Sequence, residues 1–442
     1  MKYTDISFLF LFLPVGILVY YILKDKYKNA FLVFLSVVFY FFVSPPCLLI
    51  MLLSVGFDFE MSNLMKRADQ NMKKRAIPLF CSVCKSIILV AGSVYFSKHM
   101  ETALPVGMLC YTLSSLGYII DVYEGEAPYE TSLIDFLLFN CFFGKIFLGP
   151  VVTYKEFLPS LKSKKYSLRH ASDGVINLVK GIASLKIIAL PMQELYLALG
   201  EINLSSPTII SSWGKLFALA SAVYFGLSGY CKIARGTAEL FGMSLPKNII
   251  YPYLCNSVKE FYASFNRSVS AFYGKYVFLP LGAAKKGFAI SSLNILLMCM
   301  LWGTWFGFEL SFALWGLFIG LFICIEESIL EKPFQKLPDF VSKIYSRMAV
   351  FFSFAIFGEG SLEIIKSNLV NPFLFGRIPF YDTRSIYAFV SFLFPIALSL
   401  IFESKAPERI GTFLRNRFER SSEIIIAIFN ILVMALVIGY ML

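Results

Sequence analysis

The sequence predicts an all-α integral membrane protein in which roughly ten to twelve helices cross the bilayer. Composition is the first reason, because 57% of the 442 residues are hydrophobic and only 16% are charged, whereas soluble domains carry about 25% charged residues. The second reason is that apolar residues form long runs, and about 20 of them satisfy the backbone hydrogen bonds of one helical crossing. We therefore expect a single polytopic membrane domain over residues 1–442, without a separate soluble domain.

The clearest apolar runs are distributed along the whole chain. They lie, in order, at residues 6–23, 77–96, 103–120, 209–230, 288–304, 310–325, 386–402 and 424–442. The run at 6–23 is longer than a signal-peptide core and no small-x-small cleavage site follows it, so we expect it to remain in the mature protein. Weaker runs lie between these, and we expect some of the helices to be short.

Lysine and arginine are concentrated in short connections, which predicts the orientation of the chain. The basic connections lie at residues 24–28, 66–75, 155–169 and 405–420. Such connections face the cytoplasm in most membrane proteins. They lack interleaved aromatic residues, which favours anionic lipid head groups over nucleic acid as their partner.

The first two basic connections flank residues 30–53, so one straight crossing there would place them on opposite sides of the membrane. Pro45 and Pro46 interrupt this stretch, and proline removes a helix hydrogen-bond donor. We expect two half-helices that enter the membrane and return, leaving both basic connections on one side. The alternative is an imperfect charge bias.

Charged residues at membrane depth are the first candidates for function, because a charge at the bilayer centre costs roughly 2.5 to 3.5 kcal/mol. The candidates are Lys85, Asp135, Lys145, Lys186, Glu194, Lys215, Lys232, Arg235, Glu239 and Glu309. So many charges predict a polar interior, although some of the lysines also fit side chains that reach the interface from helix ends. These residues alone are consistent with a transporter, a channel or a membrane enzyme.

The middle of the chain carries a series of motifs in a fixed order. They are Leu104-Pro105-Val106-Gly107, Tyr118-Ile119-Ile120-Asp121, Gly149-Pro150, Tyr224-Phe225 with Ser228-Gly229-Tyr230, Phe278-Leu279-Pro280-Leu281-Gly282, and Trp305 with Leu314-Trp315-Gly316. The series resembles the membrane-bound O-acyltransferase (MBOAT) family, in particular its bacterial branch of polysaccharide O-acetylases such as alginate O-acetylase. Each fragment is weak alone, whereas six in order over an MBOAT-like core at 100–320 are specific.

The resemblance implies a helical horseshoe around a central tunnel, in a multi-pass protein of the bacterial cytoplasmic membrane. There an acyl thioester, often acetyl, would donate its acyl group to a hydroxyl of a cell-surface polysaccharide, without a cofactor or a metal. Membrane lipid, the glycan acceptor and an extracytoplasmic acyltransferase are the implied partners, with no role for nucleic acid. The tunnel or substrate-binding residues implied by the matching motifs are Tyr224, Ser228, Tyr230, Arg267, Ser268, Trp305 and Trp315.

The sequence departs from the family where the chemistry takes place. The family's W-H-G motif reads Trp305-Phe306-Gly307 here, and its R-W-H-x-S segment reads Ser264-Phe265-Asn266-Arg267-Ser268. Acyl transfer to a hydroxyl needs a base, for which histidine is suited by its pKa of about 6.5. Neither Phe306 nor the Asn266 amide can accept a proton from a hydroxyl. Three further polar positions of the family read Thr153, Gly226 and Lys232.

Two main interpretations follow, and the sequence leaves open whether the chain is an enzyme. In the first, it is a working O-acyltransferase, and Glu309 serves as a substitute base because it lies three residues after Phe306 on nearly the same face of a continuing helix. In the second, it is an inactive relative that binds lipid or acyl donor, or supports a partner as a scaffold. Transport of a small polar solute is a third, weaker interpretation.

Overall fold

A computed structural model describes residues 1–68, 71–100, 104–164, 166–282, 287–328 and 338–440, and within these ranges the side chains of residues 100, 415 and 419–423 are left out. The elements in these ranges are helices and turns, with one isolated β-bridge between Phe375 and Ile378. The described chain divides into two compact units. Unit 1 contains residues 1–182 and 230–247, and unit 2 contains residues 183–229 and 248–440.

Unit 1 is built from the first eight helices. These are α1 Leu13–Ile22, α2 Asp25–Val43, α3 Pro45–Arg67, α4 Met72–Met100, α5 Met108–Glu124, α6 Leu133–Cys141, α7 Tyr154–Lys162 and α8 Leu168–Ala183. A π-helical turn, Phe8–Phe12, precedes α1. The apolar run at 103–120 therefore becomes a helix that begins only at Met108, after Gly107 in a left-handed conformation with φ of 71°.

Residues 30–53 do not form two half-helices. Instead, α2 has 19 residues and α3 has 23, and each is long and apolar enough to cross a membrane. Ser44 is extended before Pro45, as expected for a residue that precedes proline. Pro45 then occupies the start of α3, where its missing N–H is not needed. The re-entrant prediction is wrong, but two successive crossings also place both flanking basic connections on one side.

Unit 2 contains the helices that follow α8, except for the last part of α10, which belongs to unit 1. They are α9 Leu190–Ser205, α10 Ile209–Leu240, α11 Val258–Phe265, α12 Arg267–Tyr273, α13 Phe288–Gly303, α14 Leu310–Ser328, α15 Asp339–Ser353, α16 Leu362–Val370, α17 Thr383–Ser391, α18 Leu393–Glu403 and α19 Ala406–Gly439. A π-helical segment, Ser184–Ala189, joins α8 to α9 without a break.

Helices α13 and α14 pack very closely, and two glycines permit this contact. A Cβ atom added to Gly316 would lie 2.1 Å from the carbonyl oxygen of Cys299, and one added to Gly303 would lie 2.2 Å from that of Phe312. Any larger residue at either position would overlap the neighbouring backbone. This close approach explains why Gly316 belongs to the motif of residues 314–316.

Six helical segments in the described ranges are long and apolar enough to span a membrane. They are Asp25–Val43, Pro45–Arg67, Met72–His99, Leu168–Ser205, Ile209–Leu240 and Leu310–Ser328. Helices α17 and α18 form a seventh if taken together, although the pair is bent by 64°. Phe8–Ile22, Phe288–Gly303 and Ile424–Gly439 are shorter apolar helices. The predicted number of crossings, ten to twelve, is thus higher than the number of described full-length spans. The reason is that several apolar runs fold into short or bent helices.

Candidate active site

Asn266 is the single residue between helices α11 and α12. Its side chain is 1% exposed, and its carbonyl oxygen accepts the first hydrogen bond of α12 from the N–H of Ser270 at 2.9 Å. The backbone at Asn266 is non-helical, with φ of −147°. The break between the two helices therefore turns the Asn266 side chain into the interior of unit 2.

Asn248 fixes the orientation of the Asn266 amide. The N–H of Ser268 donates to Asn248 Oδ1 at 2.8 Å, and the N–H of Arg267 donates to the Asn248 carbonyl oxygen at 2.9 Å. The other end of the Asn248 amide must then be its NH₂ group, which donates to Asn266 Oδ1 at 2.9 Å. Since an amide has one oxygen and one nitrogen, Asn266 presents Nδ2 on its remaining side.

Asn266 Nδ2 has no hydrogen-bond partner among the described residues, although it is buried. A buried donor without an acceptor costs about 1–3 kcal/mol, so such groups mark positions where a water or ligand oxygen belongs. An amide N–H can hold a carbonyl oxygen and stabilise the negative charge that develops there during acyl transfer. It cannot remove a proton from a hydroxyl.

Phe306, the second substituted histidine position, lies in the turn between α13 and α14, within a cluster of aromatic side chains. Its ring centroid is 5.4 to 5.8 Å from those of Phe265, Trp302, Trp315 and Phe357. Because Phe265 directly precedes Asn266, the two substituted positions are neighbours in unit 2. The resemblance alone could not show this proximity, and the aromatic packing gives Phe306 a structural role.

Two tryptophans of this region also carry unpartnered donors. The indole nitrogens of Trp302 and Trp305 are buried and have no acceptor within the described parts of the chain. Trp315 differs, because its indole nitrogen donates to Ser353 Oγ at 2.9 Å, which makes it a satisfied core residue. The region thus offers three buried N–H donors, those of Asn266, Trp302 and Trp305. Trp302 was not singled out by the sequence, since only the burial of its N–H distinguishes it.

Glu309 does not occupy the position expected for a substitute base. Helix α13 ends at Gly303 and α14 begins at Leu310, so the chain turns between Phe306 and Glu309 instead of continuing as one helix. Glu309 is exposed, and its carbonyl oxygen accepts a hydrogen bond from the N–H of Phe312 at the start of α14. The shared helical face expected for this carboxylate is therefore wrong.

The other predicted tunnel residues are found in different surroundings. Arg267 is exposed and Ser268 is half-buried, and both contribute backbone N–H groups to Asn248. On α10, Tyr224 and Ser228 are buried within unit 2. Tyr230, two residues after Ser228, belongs to unit 1 and is half-buried. The structure therefore places Asn266, Phe306, Ser268 and the three tryptophans in one region of unit 2. Tyr224 is linked to α11 through Tyr253, whose ring centroid lies 5.4 Å from that of Tyr224 and 6.2 Å from that of Phe261.

Four of the ten charges predicted at membrane depth, Lys85, Lys215, Arg235 and Glu239, lie in ion pairs within their own unit. Lys85 pairs with Asp58 at 2.6 Å in unit 1, and Arg235 pairs with Glu239 at 2.8 Å. In unit 2, Lys215 pairs with Glu359 at 3.0 Å and also donates to Asn368 Oδ1 at 3.1 Å. The polar interior is confirmed at these positions, but the sequence analysis missed Asp58 and Glu359, because nothing local indicates which helix supplies the partner.

Lys164 lies in the connection between α7 and α8 and donates to Asn29, which also donates to Asp135 Oδ1 at 2.7 Å. Burial lowers the pKa of Lys164 to about 8, against the opposing influence of the Asp135 carboxylate. The amine therefore changes charge close to physiological pH.

One group of carboxylates could hold a metal ion. Asp121, Glu124 and Glu126 bring their oxygens within 4.8 Å of one another at the end of α5. Two of the three are exposed, and exposed acidic groups of this kind are common without a metal. The site at Asn266 is separate in sequence and contains no such cluster of ligands among its described residues.

The family assignment follows from comparison with known proteins. The model of MBOAT, the membrane-bound O-acyltransferase family, matches residues 122–359, which is more than half of the chain. The chain belongs to this family. The match contains both Asn266 and Phe306, so the two substitutions lie within the family's own region. It ends at Glu359, beyond the MBOAT-like core expected at 100–320.

Several curated relatives are similar to this chain over most of their own length. A probable alginate O-acetylase of Pseudomonas fluorescens is 28% identical over 332 residues, covering 74% of this chain and 67% of the relative. A probable alginate O-acetylase of Pseudomonas aeruginosa is 24% identical over 85% of this chain and 75% of the relative. The peptidoglycan O-acetyltransferase of Helicobacter pylori is 25% identical over 73% and 69%. With these bacterial relatives and its apolar helices, the chain is a multi-pass protein of the cytoplasmic membrane.

Proposed function

We propose that this protein transfers an acyl group, acetyl in the simplest case, from a thioester donor to hydroxyls of a cell-surface polysaccharide. The observation that supports the proposal best is the Asn266 amide. It is buried at a family histidine position, it is oriented by Asn248, and its N–H lacks an acceptor among the described residues. The relatives named as a probable alginate O-acetylase and a peptidoglycan O-acetyltransferase support a polysaccharide as acceptor.

In the proposed reaction, Asn266 Nδ2 donates a hydrogen bond to the carbonyl oxygen of the acyl group. This bond strengthens as the acceptor hydroxyl attacks and negative charge develops on that oxygen. The carbon–oxygen bond forms, the carbon–sulfur bond breaks, and the hydroxyl proton ends on the departing thiolate. A thiol pKa of about 8.5 makes the thiolate a competent proton acceptor, so no side chain needs to act as a permanent base.

A partner is part of the proposal. By resemblance to the family, an extracytoplasmic acyltransferase completes delivery to the polymer in some members, and we include that arrangement here. The alternative function, an inactive relative that binds lipid or acyl donor, rests on the loss of both histidines. It predicts the same fold but no turnover, so an activity measurement separates the two.

The test is transfer of labelled acetyl from its thioester donor to total glycan in membranes. Native protein is compared with Asn266→Asp, which keeps the Oδ1 acceptor but removes the N–H donor. We expect a decrease in kcat of about 100-fold to 1,000-fold, the usual cost of one oxyanion donor. Asn371→Asp is the matched control, since the Asn371 amide already donates to Ser367 Oγ at 2.7 Å elsewhere in unit 2.

Each outcome has a definite meaning. Equal transfer by native protein and Asn266→Asp would contradict the role of the amide. Absence of transfer by native protein would contradict the enzyme proposal. In that case a double variant, Asn266→His with Phe306→His, tests whether the binding region is intact, because histidines at both positions would supply the bases that the resemblance to the family implies. Silence from the double variant as well would indicate a binding or scaffolding role.

A further inference from the structure

The four tryptophans of this chain differ in whether their indole N–H groups have an acceptor. The N–H of Trp213 donates to a backbone carbonyl oxygen at 3.1 Å, and that of Trp315 donates to a serine hydroxyl at 2.9 Å. The N–H groups of Trp302 and Trp305 are buried and have no acceptor among the described residues. Because an indole can only donate, each of these two N–H groups marks a place for the oxygen of a water or a ligand.

The Trp302 side chain packs against the helix that leads into Asn266. Trp302 is fully buried in the last turn of α13. Its ring centroid lies 5.1 Å from that of Tyr262 and 6.2 Å from that of Phe265, both on α11. Phe265 is the last residue of α11 and directly precedes Asn266. The Trp302 ring therefore lies beside the break from which the Asn266 side chain enters the interior of unit 2.

Neighbouring aromatic rings hold the Trp302 indole in one orientation. The Trp315 ring stacks on it, with centroids 4.8 Å apart and an angle of 23° between the planes. The Phe306 ring meets it edge-on, with centroids 5.6 Å apart and an angle of 75°. Both arrangements are favourable for aromatic pairs, at about 0.5–1.5 kcal/mol each. The Trp302 N–H is therefore a preorganised donor, because rotation of the ring would break these contacts.

Trp305 lies in the turn that follows α13 and has different surroundings. Its indole N–H is also buried without an acceptor in the described ranges. Among the residues that the structure describes, no aromatic contact joins the Trp305 ring to α11, whereas two such contacts join Trp302 to that helix. Of the two unpartnered indoles, Trp302 is therefore the one that packs against the chain leading into Asn266.

Acyl transfer has a use for a second donor of this kind. A carbonyl oxygen has two lone pairs, so it can accept hydrogen bonds from two N–H groups at once. This oxygen becomes negative when a hydroxyl attacks the carbonyl carbon, and preorganised N–H donors stabilise that charge. In the proposed reaction, Asn266 Nδ2 supplies one donor. A neutral N–H on a ring beside Phe265 supplies the other without adding a charge to a buried region.

We propose that the Trp302 indole N–H donates a second hydrogen bond to the carbonyl oxygen of the acyl donor, beside that of Asn266 Nδ2. The inference rests on the proposed function and deepens it by assigning a second catalytic residue to the same site. Both hydrogen bonds strengthen as the carbon–oxygen bond forms and the carbon–sulfur bond breaks. Neither donor gives up its proton, and the hydroxyl proton still ends on the departing thiolate.

The experiment is infrared spectroscopy of the full chain in detergent with a ketone analogue of the donor, the acetonyl thioether of coenzyme A with an isotope-labelled carbonyl. A methylene separates its carbonyl from sulfur, so acyl transfer cannot occur, and the carbonyl stretch falls in frequency with each hydrogen bond accepted. Trp302→Phe removes the N–H but keeps an aromatic ring. Trp305→Phe is the matched control, because it removes the other unpartnered N–H. We expect the band of the bound ketone to shift to higher frequency in Trp302→Phe and to stay at the native frequency in Trp305→Phe.

Turnover is not needed for this readout, so the inference and the proposed function fail separately. A band shifted by Trp305→Phe alone, or by neither variant, would overturn the role of Trp302. If Asn266→Asp shifts the band and Trp302→Phe does not, the proposed function stands with a single donor. Absence of a bound ketone band in native protein would overturn both. If Trp302→Phe does not fold, benzothienylalanine at position 302 replaces the N–H by sulfur in a ring of similar size, and the same shift is expected.

A kinetic measurement tests the same donor in an active protein. We expect Trp302→Phe to lower kcat by about 100-fold to 1,000-fold, the usual cost of one oxyanion donor. The KM for the thioester should change little, because the bond strengthens mainly in the transition state. Trp305→Phe should keep the native kcat. An equal fall in kcat in both variants would indicate lost packing instead of a lost donor and would contradict the assignment.

Discussion

Removal of the Lys85 ammonium should destabilise unit 1 strongly. Lys85 Nζ lies 2.6 Å from Asp58 Oδ2, and the two side chains are 16% and 0% exposed. Asp58 also accepts a hydrogen bond from the Ser115 hydroxyl, and Lys85 also donates to Ser54 Oγ at 3.1 Å. In Lys85→Met, the Asp58 carboxylate would remain buried with its cation gone, between α3 and α4.

The expected loss of stability follows from the burial of the ion pair and not from the distance between its charges. Loss of one partner from a buried pair costs about 3–5 kcal/mol, because the other charge is left uncompensated. Lys259 and Glu327 provide the comparison, since their separation is 2.7 Å but their side chains are 63% and 37% exposed. Loss of an exposed pair costs at most about 1 kcal/mol. Lys259→Met should therefore be nearly neutral.

Thermal unfolding of the purified protein in detergent measures the difference in stability between these two variants. We expect Lys85→Met to lower the unfolding temperature by at least about 5 °C and Lys259→Met to change it little. Adding Asp58→Asn to Lys85→Met should recover part of the loss, because the uncompensated charge is then removed. If Lys85→Met were no more harmful than Lys259→Met, or if the double variant recovered nothing, the reasoning from a buried ion pair would be refuted.

The remaining predictions concern a helix contact and a buried amine. Gly316→Ala should destabilise the protein by about 1–3 kcal/mol, since its Cβ would lie 2.1 Å from the Cys299 carbonyl oxygen. Gly56→Ala in α3 meets nothing within 4 Å and should be neutral or stabilising in the same thermal assay. Lys164 has a folded pKa of about 8, below the usual value of about 10.4. The unfolded chain therefore binds more protons between these values, stability should rise with pH from about 8 to about 10, and Lys164→Met should flatten that rise. An equal pH dependence in Lys164→Met would contradict this assignment.

Much of the polar interior was predictable in kind but not in its pairings. Lys85, Lys215 and Arg235 stand out in the sequence because charge is rare in apolar runs. Arg235 pairs four residues away on its own helix, whereas the partner of Lys85 comes from another helix and the partner of Lys215 from the connection between α15 and α16. Local sequence spacing can indicate the first kind of pair, but it contains no information about which distant helix packs alongside.

The candidate site was likewise predictable in its residues but not in their contacts. The motifs predicted that Asn266 and Phe306 matter, but the Asn248 amide that orients Asn266 lies 18 residues earlier and gives no local signal of that contact. The expectation for Glu309 was wrong for a related reason. Whether a helix continues through residues 304–309 depends on how α13 and α14 pack against each other, which the local sequence does not state.

The sequence by itself determined the class of this protein. Apolar runs and sparse charge require a membrane protein, because backbone polar groups in lipid must be satisfied within helices. Ordered motifs indicated the MBOAT family, and that resemblance implied histidines at the positions where this sequence has Asn266 and Phe306. The folded structure was needed to show that the Asn266 N–H faces no acceptor among the described residues, that Phe306 is held among aromatic rings, and that residues 30–53 belong to two long helices. Those facts depend on which distant segments pack together, and packing is a property of the folded chain.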